Sequence, residues 1–498
     1  MWQSLPLYGL NRYTALSMAG LAVVASLLAF APLSLLWIGL SGGAAFLLLV
    51  RWPWLIWLAI GALLPVASSI RMGALSLTDL LLGGAIALWF ADGVRRRTLR
   101  LEPSPVVGWV AAYAGILILA ALPAADLREA AVEVVKWIQV ALVLLLVQAM
   151  MPPEQRHWLV GALLLGAIGQ ALLGLYQFVN RIGPDWFIIL DRFMRASGSF
   201  GQPNPYAGYL GLTLPVAVSL ALWGWRSWLR SGFRPAPVAL WTLFYTGAAL
   251  LIAAGLVASW SRGGWLGATA GVVAVLVFRS RAALATGGVA VLLLLSAALL
   301  GALSPVLVPT AVSDRLEGMP AYLGLTDVLN QPITDENFAV VERVAHWVAA
   351  IRMWERSPWL GIGPGNYAVL YPEVRLPQWE EALGHAHNVY LNVLGESGLV
   401  GLAVFLTLWV AVFVWVAGCF RRWRRQGATW QAALAVGVLG VLVHLSTHNF
   451  FDNLFVQGMQ LHVALWLALL NLDIESSRRV GTEVGIVYTG SGVCPLQS

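Results

Sequence analysis

Apolar residues occur along the chain in long runs that short polar or basic stretches separate. A helix of about 20 apolar residues crosses the roughly 30 Å hydrocarbon core of a bilayer. Backbone polar groups in lipid must be satisfied internally, so these runs predict helices rather than barrel strands. The fourteen runs lie at about 15–31, 34–50, 53–70, 74–91, 105–123, 131–150, 157–179, 204–224, 238–259, 262–279, 283–304, 388–418, 430–447 and 453–472.

Composition agrees with a membrane protein and excludes several other classes. Of 498 residues, 59% are hydrophobic and 11% charged, whereas a soluble domain carries about 25% charged residues. Disorder, a disulfide scaffold and nucleic acid as a partner are thereby excluded. We predict an all-α polytopic bundle of about 12–14 transmembrane helices.

Clusters of arginine follow alternate runs and orient the bundle. Basic residues stay on the cytoplasmic side of membrane proteins, so both termini are predicted to be cytoplasmic. The clusters are Arg95–Arg97 with Arg100, Arg226 with Arg230 and Arg234, Arg279 with Arg281, Arg421–Arg425, and Arg478 with Arg479.

Four regions follow from this topology. Residues 1–304 form an N-terminal transmembrane bundle, 305–387 one large extracytoplasmic loop, 388–472 the C-terminal transmembrane helices, and 473–498 a cytoplasmic tail. The long loop carries ten of the 24 acidic residues and is predicted to fold as a cap with short helices. Residues 342–355 have apolar positions at helical spacing, which indicates an amphipathic helix at the interface.

Polar residues that could carry chemistry concentrate near the opposite, outer ends of the spans. Charged groups near a membrane are costly, so such a cluster is a candidate site. Its members are Arg195, Arg262, Arg343, His385, His387, Asn388, His448 and Asp452. We expect the spans to gather them around one outward-opening pocket.

These residue types indicate an anionic ligand and proton transfer. The guanidinium fork matches phosphate oxygens, and a neutral histidine can take a proton from a hydroxyl group. A lipid-linked diphosphate sugar would use both. Lys136, three residues after Glu133 in the sixth span, is a supporting candidate.

Two other interpretations of these motifs are open. The His385-x-His387 pair with His448 and Asp452 could bind a metal ion, but arginines crowd the region, and we predict neither a metal nor a cofactor. Gly361, Gly363 and Gly365 resemble a phosphate loop, but the strand and helix of a nucleotide site are missing. Turn glycines are the favoured interpretation.

Four motifs in this order resemble the O-antigen ligase and polymerase family of bacterial envelope proteins. They cover about residues 190–405 and read R-A-S-G-S-F-G-Q-P-N, S-R-G-G-W-L-G, R-x-x-x-W-x-x-A-x-x-M-x-x-x-x-P-W-L-G-I-G-P-G-N-Y and H-A-H-N-V-Y-L-N-V-L-G-E-S-G-L-V-G-L. The arginines of the family pattern fall on Arg195 and Arg262, and its loop histidine falls on His387.

The resemblance implies a glycosyltransferase that moves a glycan from undecaprenyl diphosphate to an acceptor at the outer face of the inner membrane. It also implies a metal-independent, inverting reaction. Arg195, Arg262 and Arg343 would hold the diphosphate, and His387, with His385, would act on the acceptor proton. Asn388, His448 and Asp452 would support them. Partners would be the lipid-linked donor, a lipid or glycan acceptor, and membrane lipids.

The acceptor and two other functions stay open at this point. Ligases use lipid A-core, polymerases a further repeat unit and related enzymes a protein, and the motifs do not separate these. A transporter for a small anion such as bicarbonate would also use arginines and an embedded pocket. It should show paired broken helices in two related halves, and the sequence lacks that symmetry. A flippase for lipid-linked oligosaccharide is the third alternative.

Overall fold

The chain folds as an all-helical membrane bundle. The computed structural model describes residues 33–73, 75–101, 104–189, 192–234, 236–279, 333 and 337–471. Within these ranges almost all regular structure is helical, and strands occur only as two short antiparallel pairs. The predicted all-α polytopic fold is confirmed.

The described helices follow the predicted apolar runs closely. They are α1 (Leu33–Arg51), α2 (Leu55–Ala67), α3 (Leu77–Arg96), α4 (Pro105–Ala120), α5 (Leu127–Met150), α6 (Arg156–Asn180), α7 (Pro203–Gly211), α8 (Leu214–Arg230), α9 (Ala236–Ala258), α10 (Arg262–Arg279), α11 (Phe338–Arg356), α12 (Tyr367–Val374), α13 (Val389–Arg425), α14 (Thr429–His448) and α15 (Met459–Asn471). Strand β1 (Arg71–Met72) pairs with β2 (Leu75–Ser76), and β3 (Ile188–Ile189) pairs with β4 (Phe193–Met194). The predicted run 204–224 corresponds to two helices, α7 and α8, instead of one.

Seven helices within the described ranges are long and apolar enough to cross a membrane. They are α3, α5, α6, the α7–α8 pair, α9, α13 and α14. The predicted spans 15–31 and 283–304 and the tail 473–498 lie outside the described residues, so the number of spans stays a prediction. The chain divides into two units, residues 1–55 with α1 and residues 56–498 with the other helices.

Two groups of helices meet along α13 and α14 in the second unit. In one group α10 packs along α14, and α8 packs between α9 and α14. In the other, α4 packs against α5 and α13. Helix α15 is buried along its whole length, as expected for a helix that is apolar on all sides.

Glycines let a buried histidine of α14 enter the first group. A Cβ atom on Gly211 would lie 2.0 Å from the His444 ring, and one on Gly267 would lie 2.8 Å from its Nδ1 atom. The His444 Nε2 atom lies 3.1 Å from the carbonyl oxygen of Gly208. This ring therefore joins α7, α10 and α14 through contacts that only small residues permit.

Helix α11 packs on the protein through a face of small residues and methionine. The apolar positions at helical spacing, which are Val344, Trp347, Val348 and Ile351, are partly or fully exposed. Its buried positions include Ala345, Ala349 and Met353, and α11 packs on α13. Because Gly395 of α13 has no side chain, its Cα approaches the backbone of α11 closely, and a Cβ there would lie 3.0 Å from the Ala350 carbonyl oxygen.

The loop that follows α11 interlocks with a kink in α13. Gly398 has non-helical dihedral angles, φ 64° and ψ −168°, and Gly361 has φ 70°. A Cβ on Gly398 would lie 2.3 Å from the Trp359 carbonyl carbon, and one on Gly361 would lie 2.2 Å from that of Glu396. Neither backbone can therefore carry a side chain at the crossing.

Four backbone hydrogen bonds join the two segments. The amides of Ile362 and Gly363 donate to the carbonyls of Gly395 and Glu396, and those of Leu399 and Val400 donate to Pro358 and Trp359. These bonds satisfy groups that the kink frees from the helical ladder. Positive φ angles at Gly361, Gly363 and Gly365 agree with their interpretation as turn glycines.

The same loop also binds the start of α5. The Asn366 side chain accepts a hydrogen bond from the Asp126 amide at 2.7 Å and donates to the Asp126 carbonyl at 3.0 Å. Asp126 in turn caps α5 by accepting from the amides of Arg128 and Glu129. One short loop thereby connects α5, α11 and α13.

We predict that Gly398→Ala destabilises the protein by about 2–5 kcal/mol, because a side chain would combine left-handed backbone strain with overpacking. Thermal unfolding of the detergent-solubilised protein would measure the effect. Gly418→Ala is the matched control on α13, where a Cβ meets nothing within 4 Å. Equal unfolding midpoints for the two variants would contradict the interlock.

Candidate functional site

A cavity of about 570 Å³ lies where several helices begin or end. It is lined by residues from α7, α10 and α11 and from the loops before α13 and after α14. Six of the predicted site residues line it: Arg195, Arg262, Arg343, His385, His387 and Asp452. The structure thus brings together residues that are up to 257 positions apart in sequence.

His387 and Asp452 form a hydrogen-bonded pair in the wall. The His387 Nδ1 atom lies 3.2 Å from Asp452 Oδ1. Because an ionised carboxylate only accepts hydrogen bonds, Nδ1 carries the proton, and Nε2 is left with its lone pair. The Nε2 atom is buried without a hydrogen-bond partner among the described residues.

The backbone that presents His387 is tightly specified. His387 has φ 49°, and the next residue, Asn388, caps α13 by accepting from the amides of Tyr390 and Leu391. The Val389 amide donates to the carbonyl of Asn449 at 2.9 Å. The start of α13 and the end of α14 are therefore joined beside the pair.

His385 supports this loop and is neutral. Its Nδ1 atom accepts a hydrogen bond from the His387 amide at 3.1 Å, so Nε2 carries the proton and lies 3.8 Å from Asp452 Oδ1. Burial, followed by the charge of His387, lowers the pKa of His385 to about 4, although Asp452 acts in the opposite direction. At neutral pH His385 orients its neighbours and does not offer a free lone pair at Nδ1.

Asp452 is the negative centre of the cluster. Burial alone would raise the pKa of its carboxyl, but the hydrogen bond from His387 and the charges of His387, His385 and His448 lower the pKa overall. The carboxylate also accepts from the Asn453 amide at 2.9 Å. It is thus ionised and able to stabilise positive charge on His387.

Main-chain contacts place the first two arginines. The Arg195 amide donates to the Phe187 carbonyl, and its Nε atom donates to the Ser259 carbonyl at 3.1 Å. Arg262 is the first residue of α10. The preceding Ser261 hydroxyl donates to Asn204 at 2.8 Å. The turn between α9 and α10 therefore holds both arginines at one wall.

Helix α11 supplies the third arginine and a carboxylate. Ala339, Glu342 and Arg343 line the cavity and share one face because they are three or four residues apart. Burial raises the pKa of Glu342, and the charges of His387 and Arg343 partly oppose this. Glu342 was not predicted, since a single acidic residue in an acidic loop gives no signal in the sequence.

Three predicted residues do not line the cavity. Asn388 is the cap of α13, as described above. His448 is buried at the end of α14, and its carbonyl accepts from the Asp452 amide at 3.1 Å. Lys136 lies on α5, where its Nζ atom is 2.5 Å from the Glu133 carboxylate.

His346, on the same face of α11, was missed by the sequence analysis. Its Nδ1 atom lies 2.9 Å from the Tyr367 hydroxyl oxygen, its ring stacks on Tyr371 at 4.8 Å, and it meets the His387 ring edge-to-face at 5.5 Å. Burial and the nearby histidines lower its pKa to about 3. A buried neutral histidine thus supports the ring of His387.

The cluster also has the composition of a metal site. One ligand atom each of His385, His387 and Asp452 lies within 4.8 Å of the other two. His448, which the sequence offered as a fourth ligand, is not among them. Because an N–H of each ring already faces Asp452, a metal ion would have to displace these contacts.

The neutral state of His385 predicts a loss of stability in acid. Its pKa is about 4 in the folded protein and 6.5 ordinarily, so the unfolded chain binds more protons between these values. The contribution of His385 is complete above pH 6.5 and is lost as the pH falls towards 4, by up to about 3 kcal/mol.

His385→Asn removes this titration and keeps an acceptor for the His387 amide. We expect its unfolding midpoint to fall less than that of the wild type between pH 6.5 and 4. His157→Asn, at the start of α6, is the control outside the cavity. Parallel pH curves for wild type and His385→Asn would show that His385 is not held neutral.

Comparison with known proteins gives one family. Residues 247–406 match the family model described as O-antigen ligase, and no curated protein matches the chain. The matched segment contains Arg262, Arg343, His385 and His387 and ends before Asp452. The match supports a glycosyl-transferring enzyme of the O-antigen ligase and polymerase type, a type that acts on a lipid-linked glycan and an acceptor. It gives no support to the transporter alternative. Residues 247–406, about a third of the chain, are thus similar to the O-antigen ligase family.

Proposed function

We propose that the protein transfers a glycan from undecaprenyl diphosphate to an acceptor hydroxyl group by direct displacement with inversion. The observation that carries this proposal is the His387–Asp452 pair in a cavity with three arginines. An anion-binding wall and an oriented base in one cavity are what this reaction requires.

The arginines would bind the diphosphate of the donor. Arg195, Arg262 and Arg343 line the same cavity, and guanidinium groups form paired hydrogen bonds with phosphate oxygens. The N-terminus of α10 adds positive dipole beside Arg262. Their charge would stabilise the diphosphate most strongly as its negative charge grows in the transition state.

His387 would act as the base. The acceptor hydroxyl oxygen attacks the anomeric carbon, and the bond from that carbon to the diphosphate oxygen breaks. The hydroxyl proton moves to His387 Nε2, and the leaving diphosphate takes the bonding electrons. Asp452 stabilises the imidazolium and holds the reactive tautomer, while His385 and His346 position the ring.

We further propose that no metal ion takes part. The positive charge that a metal would supply to a diphosphate is available from the three arginines. The Oδ1 atom of Asp452, which lies nearest both histidines, already accepts hydrogen bonds from His387 and Asn453. Activity that persists in EDTA would support this, and activity restored only by a divalent ion would contradict it.

The proposed location is the inner membrane, with the cavity facing outward and both termini cytoplasmic. The arginine clusters after α3, α8 and α13 support this orientation by the positive-inside rule. Cysteine labelling from either side of the membrane would test it at the two ends of α13.

We predict that Arg262→Ala lowers glycan transfer by about 10²–10³-fold, because a donor to the leaving group is lost. The assay is transfer in proteoliposomes that hold the purified protein, an undecaprenyl diphosphate-linked oligosaccharide and candidate acceptors. Arg192→Ala is the matched control, since Arg192 is exposed on the same loop as Arg195. Near-normal transfer by Arg262→Ala would exclude its assigned role.

His387→Ala should lower the same activity by about 10²–10⁴-fold, and Asp452→Asn should have a similar effect because an amide can reverse the tautomer of His387. The double variant should be no worse than His387→Ala, since the two residues act as one unit. Strictly multiplicative losses, or full activity of Asp452→Asn in a correctly folded protein, would rule out the pair as the base.

A further inference from the structure

Glu342 places a second carboxylate, besides Asp452, in a cavity whose three arginines suit an anion. It lies on the cavity face of α11 between Ala339 and Arg343. The groups that act on it are His387, Arg343 and Glu381, so it lies close to the proposed base. It makes no hydrogen bond or ion pair within the part of the chain that the structure describes.

A carboxylate at the position of Glu342 would disfavour the binding of a diphosphate that carries no other group. Like charges within a partly desolvated cavity repel each other, and a carboxylate is an acceptor that needs a donor. Hydroxyl groups of a ligand would provide such donors. A ligand that is anionic at one part and rich in hydroxyl groups at another satisfies both the arginines and Glu342.

The other lining residues that the diphosphate does not explain fit a sugar ring. Trp186 lines the cavity and is 80% exposed, so its face is accessible to the apolar side of a pyranose. Asn204 accepts from Ser261, which leaves its amide nitrogen as a donor. A flat aromatic ring with a few directed polar groups is the composition of a selective ligand site.

We propose that Glu342, Trp186 and Asn204 form a subsite for a sugar ring, in which Glu342 accepts hydrogen bonds from sugar hydroxyl groups. The subsite rests on the proposed function, because the diphosphate site beside it is what brings a glycan into the cavity. Glu342 is then a residue for glycan specificity, whereas the arginines bind the part that all such donors share.

The test compares the binding of ligands with and without sugar. Protein with His387→Ala, which prevents turnover, is placed in nanodiscs, and dissociation constants are measured for bare undecaprenyl diphosphate and for its glycan-linked form. Free acceptor glycan is the third ligand. The variants Glu342→Gln and Trp186→Ala are added to this background, and Glu373→Gln on α12 is the control, since Glu373 pairs with Arg356 on the outside of the fold.

We expect Glu342→Gln to raise the dissociation constant of the glycan-linked donor or of the acceptor by about tenfold or more. The dissociation constant of bare undecaprenyl diphosphate should stay the same or fall. Trp186→Ala should show the same selectivity. A loss for the donor alone assigns the ring to the donor, and a loss for the acceptor alone assigns it to the acceptor.

Unchanged affinity for both glycans in Glu342→Gln would overturn the subsite and leave the proposed function intact. Equal weakening of bare and glycan-linked lipid would also overturn it, because Glu342 would then act on the whole cavity. If the starting protein binds neither lipid, the proposed function fails and the subsite fails with it. Unfolding midpoints of each variant show that the fold is retained.

Discussion

The backbone crossing between Gly361 and Gly398 determines how the region above the bundle is attached to it. At this crossing two chain segments approach until neither has room for a Cβ atom. The loop also holds Asn366 against the start of α5 and Tyr367 against His346. A shift of α13 at its kink would therefore reach the ring that supports His387. The bundle and the proposed base are parts of one packed unit.

Three supports converge on the His387 ring from different elements. Asp452, after α14, fixes its tautomer; His385 accepts a hydrogen bond from its backbone amide; and His346 of α11 contacts the ring edge-to-face. A base is effective only when its lone pair is held in the direction of the proton. Because these supports lie on separate elements, the direction of the His387 lone pair depends on how those elements pack. We therefore expect packing changes far from the cavity to alter the proposed transfer activity.

Much of this arrangement can be predicted from the sequence. The rest cannot, and the reasons are physical. Apolar runs identify helices because lipid leaves no alternative. The scarcity of polar residues near the spans gives a candidate set that includes the six residues lining the cavity, together with Asn388, His448 and Lys136, which do not line it. The kink at Gly398 gives no such signal, because the apolar run continues through it. Glu342, His346 and the direction of Lys136 depend on the rotation of their helices, which is set by contacts with glycines of other elements.

The short helix α15 bears on the order in which the helices of the bundle assemble. Its 13 residues rise about 20 Å, and it carries His462, which contacts Thr213 and Trp466, and Asn471, which bonds to Gln148. A segment this short is a poor candidate to span a bilayer alone, although it is mostly apolar. Its partners Gln148, on α5, and Thr213, between α7 and α8, are synthesised earlier, so they can be in place before it packs. We therefore expect α15 to take its place only after these partners have packed, so that the order of assembly follows the order of synthesis.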